Sequence, residues 1–382
     1  MKVYITGDNI ISSLGFNTEE NMNNLFRGIT GIHKVDRGYL SPEPIPAALV
    51  DFGKLEAVFS NIASPTLFTR LEQMMILSVK QAVETSGMDF QSPRSLLIVS
   101  TTKGNVELLE KDKKTKFPQE RVYLWGLAEL IKDYFKLYHT PLVVSNACIS
   151  GLIAIEVGAR LIKSGQYDNV VVVGGDILTP FVVSGFQSFK SLSPEPCKPY
   201  DANRDGLSLG EACATIVLSS QKQHIENRAV EVAGGASSND ANHISGPSRT
   251  GDGLFIAIKN ALSAASLATD QIDFICAHGT ATPYNDDMES KAVNLAGLQA
   301  TPLNSLKGYI GHTLGAAGTI ESIVSVRSLL KHKLIKTLGF NTLGVAEKIN
   351  IISETKECEL NNCLKVASGF GGCNAAVIFS VV

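Results

Sequence analysis

The 382-residue chain predicts an α/β protein made of two similar halves, and three observations carry that expectation. Short β-branched runs alternate with helix-like stretches along the whole length, the pattern of sheets covered by helices on both sides. A strand that runs into a small-residue turn bearing a reactive side chain occurs once before the midpoint, in "VVSNACISG", and once after it, in "FICAHGTAT". The length also exceeds what a single core usually serves, so two domains or an internal duplication are expected.

The strands expected in the first part are "KVYITG", "SLLIVSTT", "TPLVVSNA", "NVVVVGGD" and "CATIVLSS". Those in the second are "AVEVAGGA", "DFICAHGT", "LKVASGFGG" and "AAVIFSVV". Their apolar residues are continuous rather than alternating, as in strands buried on both faces. Apolar residues recurring at threes and fours predict helices over residues 71–86, 152–164, 253–265 and 319–331. Charged residues gather after "ATIVLSS", over residues 222–228, which places the join there and gives halves of 1–225 and 226–382. The charge run "EKDKKTK" reads as a solvated loop, and neither short repeats nor low-complexity segments stand out.

Composition narrows the function classes. Hydrophobic residues make up 44%, charged residues 19%, and the net charge is -3, which suits a soluble enzyme and gives no reason to expect nucleic acid. The seven cysteines are scattered and odd in number, as expected for reduced thiols. The first residues lack the pattern of a signal peptide, and apolar runs such as 170–173 are far too short to cross a bilayer, so a cytoplasmic protein is expected.

Cys148 sits just before an expected helix, where free N–H groups and the positive end of the dipole would lower a thiol's pKa and make it a nucleophile. On this motif alone, a small buried apolar residue is an equal alternative. His278 lies at a strand end in "CAHGTATP", and His312 lies among glycines in "SLKGYIGHTLGAAG" that permit close backbone approach. Either alone is more often a structural histidine, in roughly two cases of three. Cys148, His278 and His312 lack the short spacing of a zinc site, and "SGFGGCN" is not a complete dinucleotide fingerprint.

From "VYITGDNIISSLG" through "NACISG", "YDANRDGLSLGEACATIVL", "SSNDANHISGPS", "AHGTATPYNDDMES" and "SLKGYIGHTLGAAGTIES" to "SGFGGCNAAVIF", the motifs resemble those of the β-ketoacyl-acyl carrier protein synthases. These are the elongating condensing enzymes of fatty acid and polyketide synthesis. The resemblance implies a thiolase-like fold, with duplicated βαβαβαββ halves in a five-layered αβαβα arrangement. It implies a homodimer, with a heterodimer as the alternative. The implied reaction is a decarboxylative Claisen condensation of malonyl carrier with an acyl thioester held on Cys148, needing no metal or organic cofactor.

Position by position, Cys148 matches the acyl-accepting nucleophile, and His278 and His312 match the paired active-site histidines. Lys307 and Glu321 match a buried charged pair beside them. Thr280 and Thr282 match threonines that bind the pantetheine arm. Phe370 matches the gating aromatic whose N–H, with that of Cys148, forms the oxyanion hole, and Asp240 matches an aspartate near the entrance. "RDGLSLGE", from Arg204 to Glu211, reads as a structural ion-pair network under the site. The partner would be the acidic acyl carrier protein, for which Arg70, Lys111, Lys113 and Lys114 are docking candidates.

The chain departs from the family pattern at Asn146, Ser368 and Cys373, and over a short, charged region at 101–140. These departures resemble the branches that build aryl polyene or flexirubin-type pigments. A chain-length-factor-like partner subunit is disfavoured because Cys148 and both histidines are present. A non-decarboxylating thiolase is disfavoured because Cys373 follows the C-terminal glycines instead of preceding them.

Overall fold

A computed structural model describes residues 1–110, 116–240 and 246–382. The first half runs β1 (Tyr4–Ser12), α1 (Arg70–Ser86), β2 (Ser95–Ser100), α2 (Leu124–Phe135), β3 (Leu142–Val144), α3 (Ser150–Lys163), β4 (Asn169–Asp176) and β5 (Ala212–Ser219). The second runs β6 (Val230–Asn239), α4 (Asp252–Ala265), β7 (Phe274–Cys276), α5 (Pro283–Leu295), β8 (Pro302–Asn304), α6 (Ala317–Lys331), β9 (Asn362–Gly369) and β10 (Cys373–Val381). Apart from inserted elements, among them the helices Thr18–Phe26, Phe52–Phe59 and Pro180–Ser188 and a small three-stranded sheet in the first half, both halves follow βαβαβαββ.

Five strands of each half share one order, β3-β2-β4-β5-β1 in one and β8-β7-β9-β10-β6 in the other, and a two-residue strand, Asn350–Ile351, extends the second half beyond β8. In each, the first three strands are parallel and the last two pair antiparallel. A two-residue ladder, Tyr4 opposite Glu231 and Ile5 opposite Val230, joins the sheets at β1 and β6. Strands such as β4 are buried on both faces, which is why their sequences are continuous valines.

Helix α1 covers the outer face of the first sheet and α4 that of the second. Between the sheets lie α3 and α6, whose Ile155, Ile162, Ile320 and Ile323 share one core with Ile216 of β5 and Val377 of β10. The order of layers is thus αβαβα, as the resemblance implies. Local signals set the helix limits. A capping box of Thr69 and Glu72 starts α1, and Gly87 at φ 64° ends it.

The two central helices meet backbone to backbone. A side-chain carbon on Gly151 of α3 would lie 2.6 Å from Thr319 Oγ1 and 2.7 Å from Thr319 N, and one on Gly318 of α6 would overlap Leu152 N. Only glycine permits this approach. Among the described residues, no helix is long and apolar enough to cross a membrane.

Candidate active site

Cys148 follows β3 on a tight turn in which Ala147 is held at φ 44°, a conformation that alanine adopts only under constraint. The Ser150 hydroxyl accepts from Asn146 N–H at 2.7 Å and donates to Ala147 O at 2.6 Å, fixing the turn. Helix α3 begins at Ser150, two residues earlier than expected, so Cys148 precedes it with only Ile149 between.

The electrostatic expectation needs correction. Burial pushes the Cys148 thiol up to about 12, with Cys373 adding to the rise. Lys307, Lys103 and the Phe370 N–H pull it down without reversing the balance. The helix start positions the sulfur, but its resting form is the thiol.

His278 follows β7, and the loop carrying it is braced by two buried carboxylates of α5. Glu289 accepts the N–H groups of His278 and Gly279 at 2.8 and 2.7 Å, while Asp286 accepts those of Thr280 and Tyr200 at 3.0 and 2.8 Å. Burial raises both carboxyls, Asp286 to about 7 with the charge of Glu289 adding to the rise. His312 is held by its backbone, donating N–H to Ser208 O at 2.7 Å and accepting from Gly210 N–H at 3.0 Å. Its two ring nitrogens are buried and make no hydrogen bond among the described residues.

The rings of His278 and His312 stand edge to face, with centroids 5.2 Å apart. Burial, and then the positive charge of Lys307, hold both well below the ordinary histidine value, so both are neutral. Lys307 Nζ lies 3.3 Å from His278 Nδ1 and 2.5 Å from His278 O. An ammonium only donates, so Nδ1 accepts and the ring proton sits on Nε2.

Lys307 pairs with Glu321 Oε1 at 2.8 Å, and both are buried. A third charge, Lys365 of β9, is fully buried and lies 2.8 Å from Glu321 Oε2, an ion contact off the hydrogen-bonding direction. Burial opposes the charge on Glu321, yet the two ammoniums together hold its pKa below the usual range. Lys365 escaped the sequence reading, although a lysine inside the apolar run "CLKVA" was the signal for it.

Cys148, His278 and His312 each offer a donor atom, and these atoms lie within 4.8 Å of one another. Sequence spacing therefore did not decide the metal question. The adjacent ammoniums of Lys307 and Lys365 do argue against a divalent cation, which would meet their repulsion.

The three groups open onto a cavity of about 980 Å³ also lined by Thr280, Thr282 and Phe370. Thr280 and Thr282 share a hydrogen bond of 2.8 Å. Phe370 packs against Phe189 and Phe186, with centroids 5.1 and 5.9 Å away, an aromatic cluster the sequence reading had not assembled. Asp240 lies outside the lining. It accepts from Ser248 N–H at 3.3 Å, and its own N–H donates to Gly372 O at 2.7 Å, tying down the loop that carries Phe370.

Of the docking candidates, Arg70 is committed to Glu211, with both carboxylate oxygens within 2.9 Å, and its guanidinium lies 5.1 Å from the centroid of the Phe52 ring. Lys111, Lys113 and Lys114 lie outside the described residues. Arg204 pairs with Asp287 at 2.9 Å and donates to three backbone carbonyls, as a structural network would.

The fold thus brings a thiol and two neutral imidazoles together between duplicated halves. The chain matches the model of the β-ketoacyl synthase N-terminal domain over residues 1–224 and that of the C-terminal domain over 229–341. A 3-oxoacyl-[acyl-carrier-protein] synthase 2 of Coxiella burnetii is 28% identical over 100% of this chain and 99% of its own. Another, of Vibrio cholerae, is 29% identical over 99% and 98%. A solved ketosynthase in complex with its chain length factor, from Xenorhabdus doucetiae, superposes with a TM-score of 0.88 at 26% identity, covering 100% of this chain and 98% of that one. The chain belongs to the β-ketoacyl synthase family, and its activity is acyl transfer with formation of a carbon–carbon bond.

Proposed function

We propose that Cys148 takes an acyl group from a carrier-protein thioester and that malonyl carrier then condenses with it. The observation that carries this reading is the convergence of Cys148, His278 and His312 within 4.8 Å on one cavity wall. As the thiol attacks, its proton passes to His312, which has a ring nitrogen free to accept it, and leaves with the departing carrier thiol. The oxyanion is held by the N–H groups of Cys148 and Phe370. Malonyl carrier follows, its pantetheine arm bound by Thr280 and Thr282. Loss of carbon dioxide gives an enolate that accepts hydrogen bonds from His278 Nε2–H and His312, and the carbanion attacks the acyl thioester. Collapse expels the Cys148 thiolate, which regains a proton from water. Lys307, Glu321 and Lys365 hold His278 in place and keep both rings neutral.

The halves 1–225 and 226–382 serve this division of labour, the first supplying the nucleophile and the second the histidines and the gate. The acyl carrier protein docks at the cavity mouth, where Lys190, Arg249 and Lys291 offer the positive charge that Arg70 does not. The enzyme works in the cytoplasm as a dimer of identical chains. In support, among the described residues β3 pairs on one side only, with β2, and Leu142 is 41% exposed on that open edge.

Incubation with acyl carrier thioester should add one acyl mass, and Cys148→Ala should abolish both the adduct and condensation. Unmodified wild-type protein by intact mass spectrometry would favour the non-catalytic partner-subunit reading.

A further inference from the structure

The condensing reaction gives Cys373 nothing to do. This free thiol opens β10 beneath the gating loop, opposite Gly369, and is buried. Its sulfur lies 3.3 Å from Phe370 O and 3.9 Å from Asn146 O, the carbonyl two residues before Cys148. A side-chain carbon on Gly369 would lie 3.0 Å from Cys373 Sγ and 3.1 Å from Cys148 N, so the Cys373 sulfur and the Cys148 backbone lie on either side of one glycine. The intervening Gly371 and Gly372, at φ 88° and 75°, hold the loop in a conformation that glycine adopts without strain.

We propose that Cys148 and Cys373 form a reversible disulfide under hydrogen peroxide, which takes the enzyme out of its cycle and shields the nucleophile from irreversible oxidation. The proposal rests on the placement of Cys148 in the reaction cavity, not on condensation itself. The Cys148 sulfur attacks peroxide through the cavity, the O–O bond breaks, and a sulfenic acid and one water form. The neutral imidazoles beside it relay the thiol proton. The Cys373 sulfur then attacks the Cys148 sulfur, expelling a second water and closing the S–S bond. Two thiols lose two hydrogens, and one peroxide becomes two waters. The bridge would occupy the nucleophile and pin the Phe370 loop against it.

The test is peptide mapping of the full chain under non-reducing conditions after hydrogen peroxide treatment and alkylation. The expected result is a linked peptide pair containing Cys148 and Cys373, lighter by two hydrogens and restored to two alkylatable thiols by dithiothreitol. Cys373→Ser should instead drive Cys148 to sulfinic and sulfonic acids that dithiothreitol does not reverse. Wild-type protein in which Cys148 is over-oxidised while Cys373 remains alkylatable would overturn the proposal. Should the variant not fold, the wild-type map alone decides. A bridge in a protein that does not condense would sink the proposed reaction and leave this inference standing.

Discussion

Glu321→Gln probes the charge cluster that holds the site. One carboxylate lies 2.8 Å from each of two ammoniums, and all three groups are buried. Removing one partner of a buried ion pair costs about 3–5 kcal/mol, and here two cations lose the same partner, so the upper part of that range applies. An unfolding entropy of about 2.1 cal/mol/K per residue amounts to roughly 0.8 kcal/mol/K for this length, so the melting temperature should fall by about 5 °C. The sign with pH is also fixed. A stranded buried lysine has its folded pKa lowered, the unfolded chain then binds more protons, and the variant should recover part of the loss as pH rises from about 7 to about 9. Differential scanning fluorimetry at both pH values reads this directly. A melting temperature within about 1 °C of wild type, or a deficit that widens with pH, would refute the reasoning.

Three further outcomes follow from the site. His278→Ala and His312→Ala should impair malonyl decarboxylation more than acyl loading, measured separately by carbon dioxide release and intact mass; equal loss of both would mean the roles are misassigned. Because both imidazoles are held neutral when folded and protonate near pH 6.5 when unfolded, stability should fall as the pH drops below that value, which denaturant titrations across the acid range would show. Gly210→Ala places a carbon against Ile310 O on the segment carrying His312 and should cost about 1–3 kcal/mol of stability along with decarboxylation, whereas an unchanged denaturation midpoint would show that the segment yields.

Much of this was legible in the residues. The continuous valines of β4 and the small-residue turns after β3 and β7 appear where their patterns put them, because strands buried on both faces write their burial into every position. The three-residue β8 was invisible, since Pro302 and Asn304 carry no strand signal and its place is set by neighbours. Helix α5 was missed because its inward face carries Asp286 and Glu289, acidic residues turned inward to brace the His278 loop. The state of the Cys148 thiol could not be read either. Position relative to a helix is local, but burial depends on how the second half closes over the first.

The glycine contact between α3 and α6 sets a distance within the proposed site. Gly151 lies three residues after Cys148 and Gly318 six after His312, so the helix crossing acts as a spacer between these two side chains. An added methyl group there would wedge the halves apart at the point where their reacting atoms must meet. Residues that touch no substrate would thus calibrate the chemistry, and a bulkier pair at this crossing should leave a folded protein whose two half-sites no longer engage.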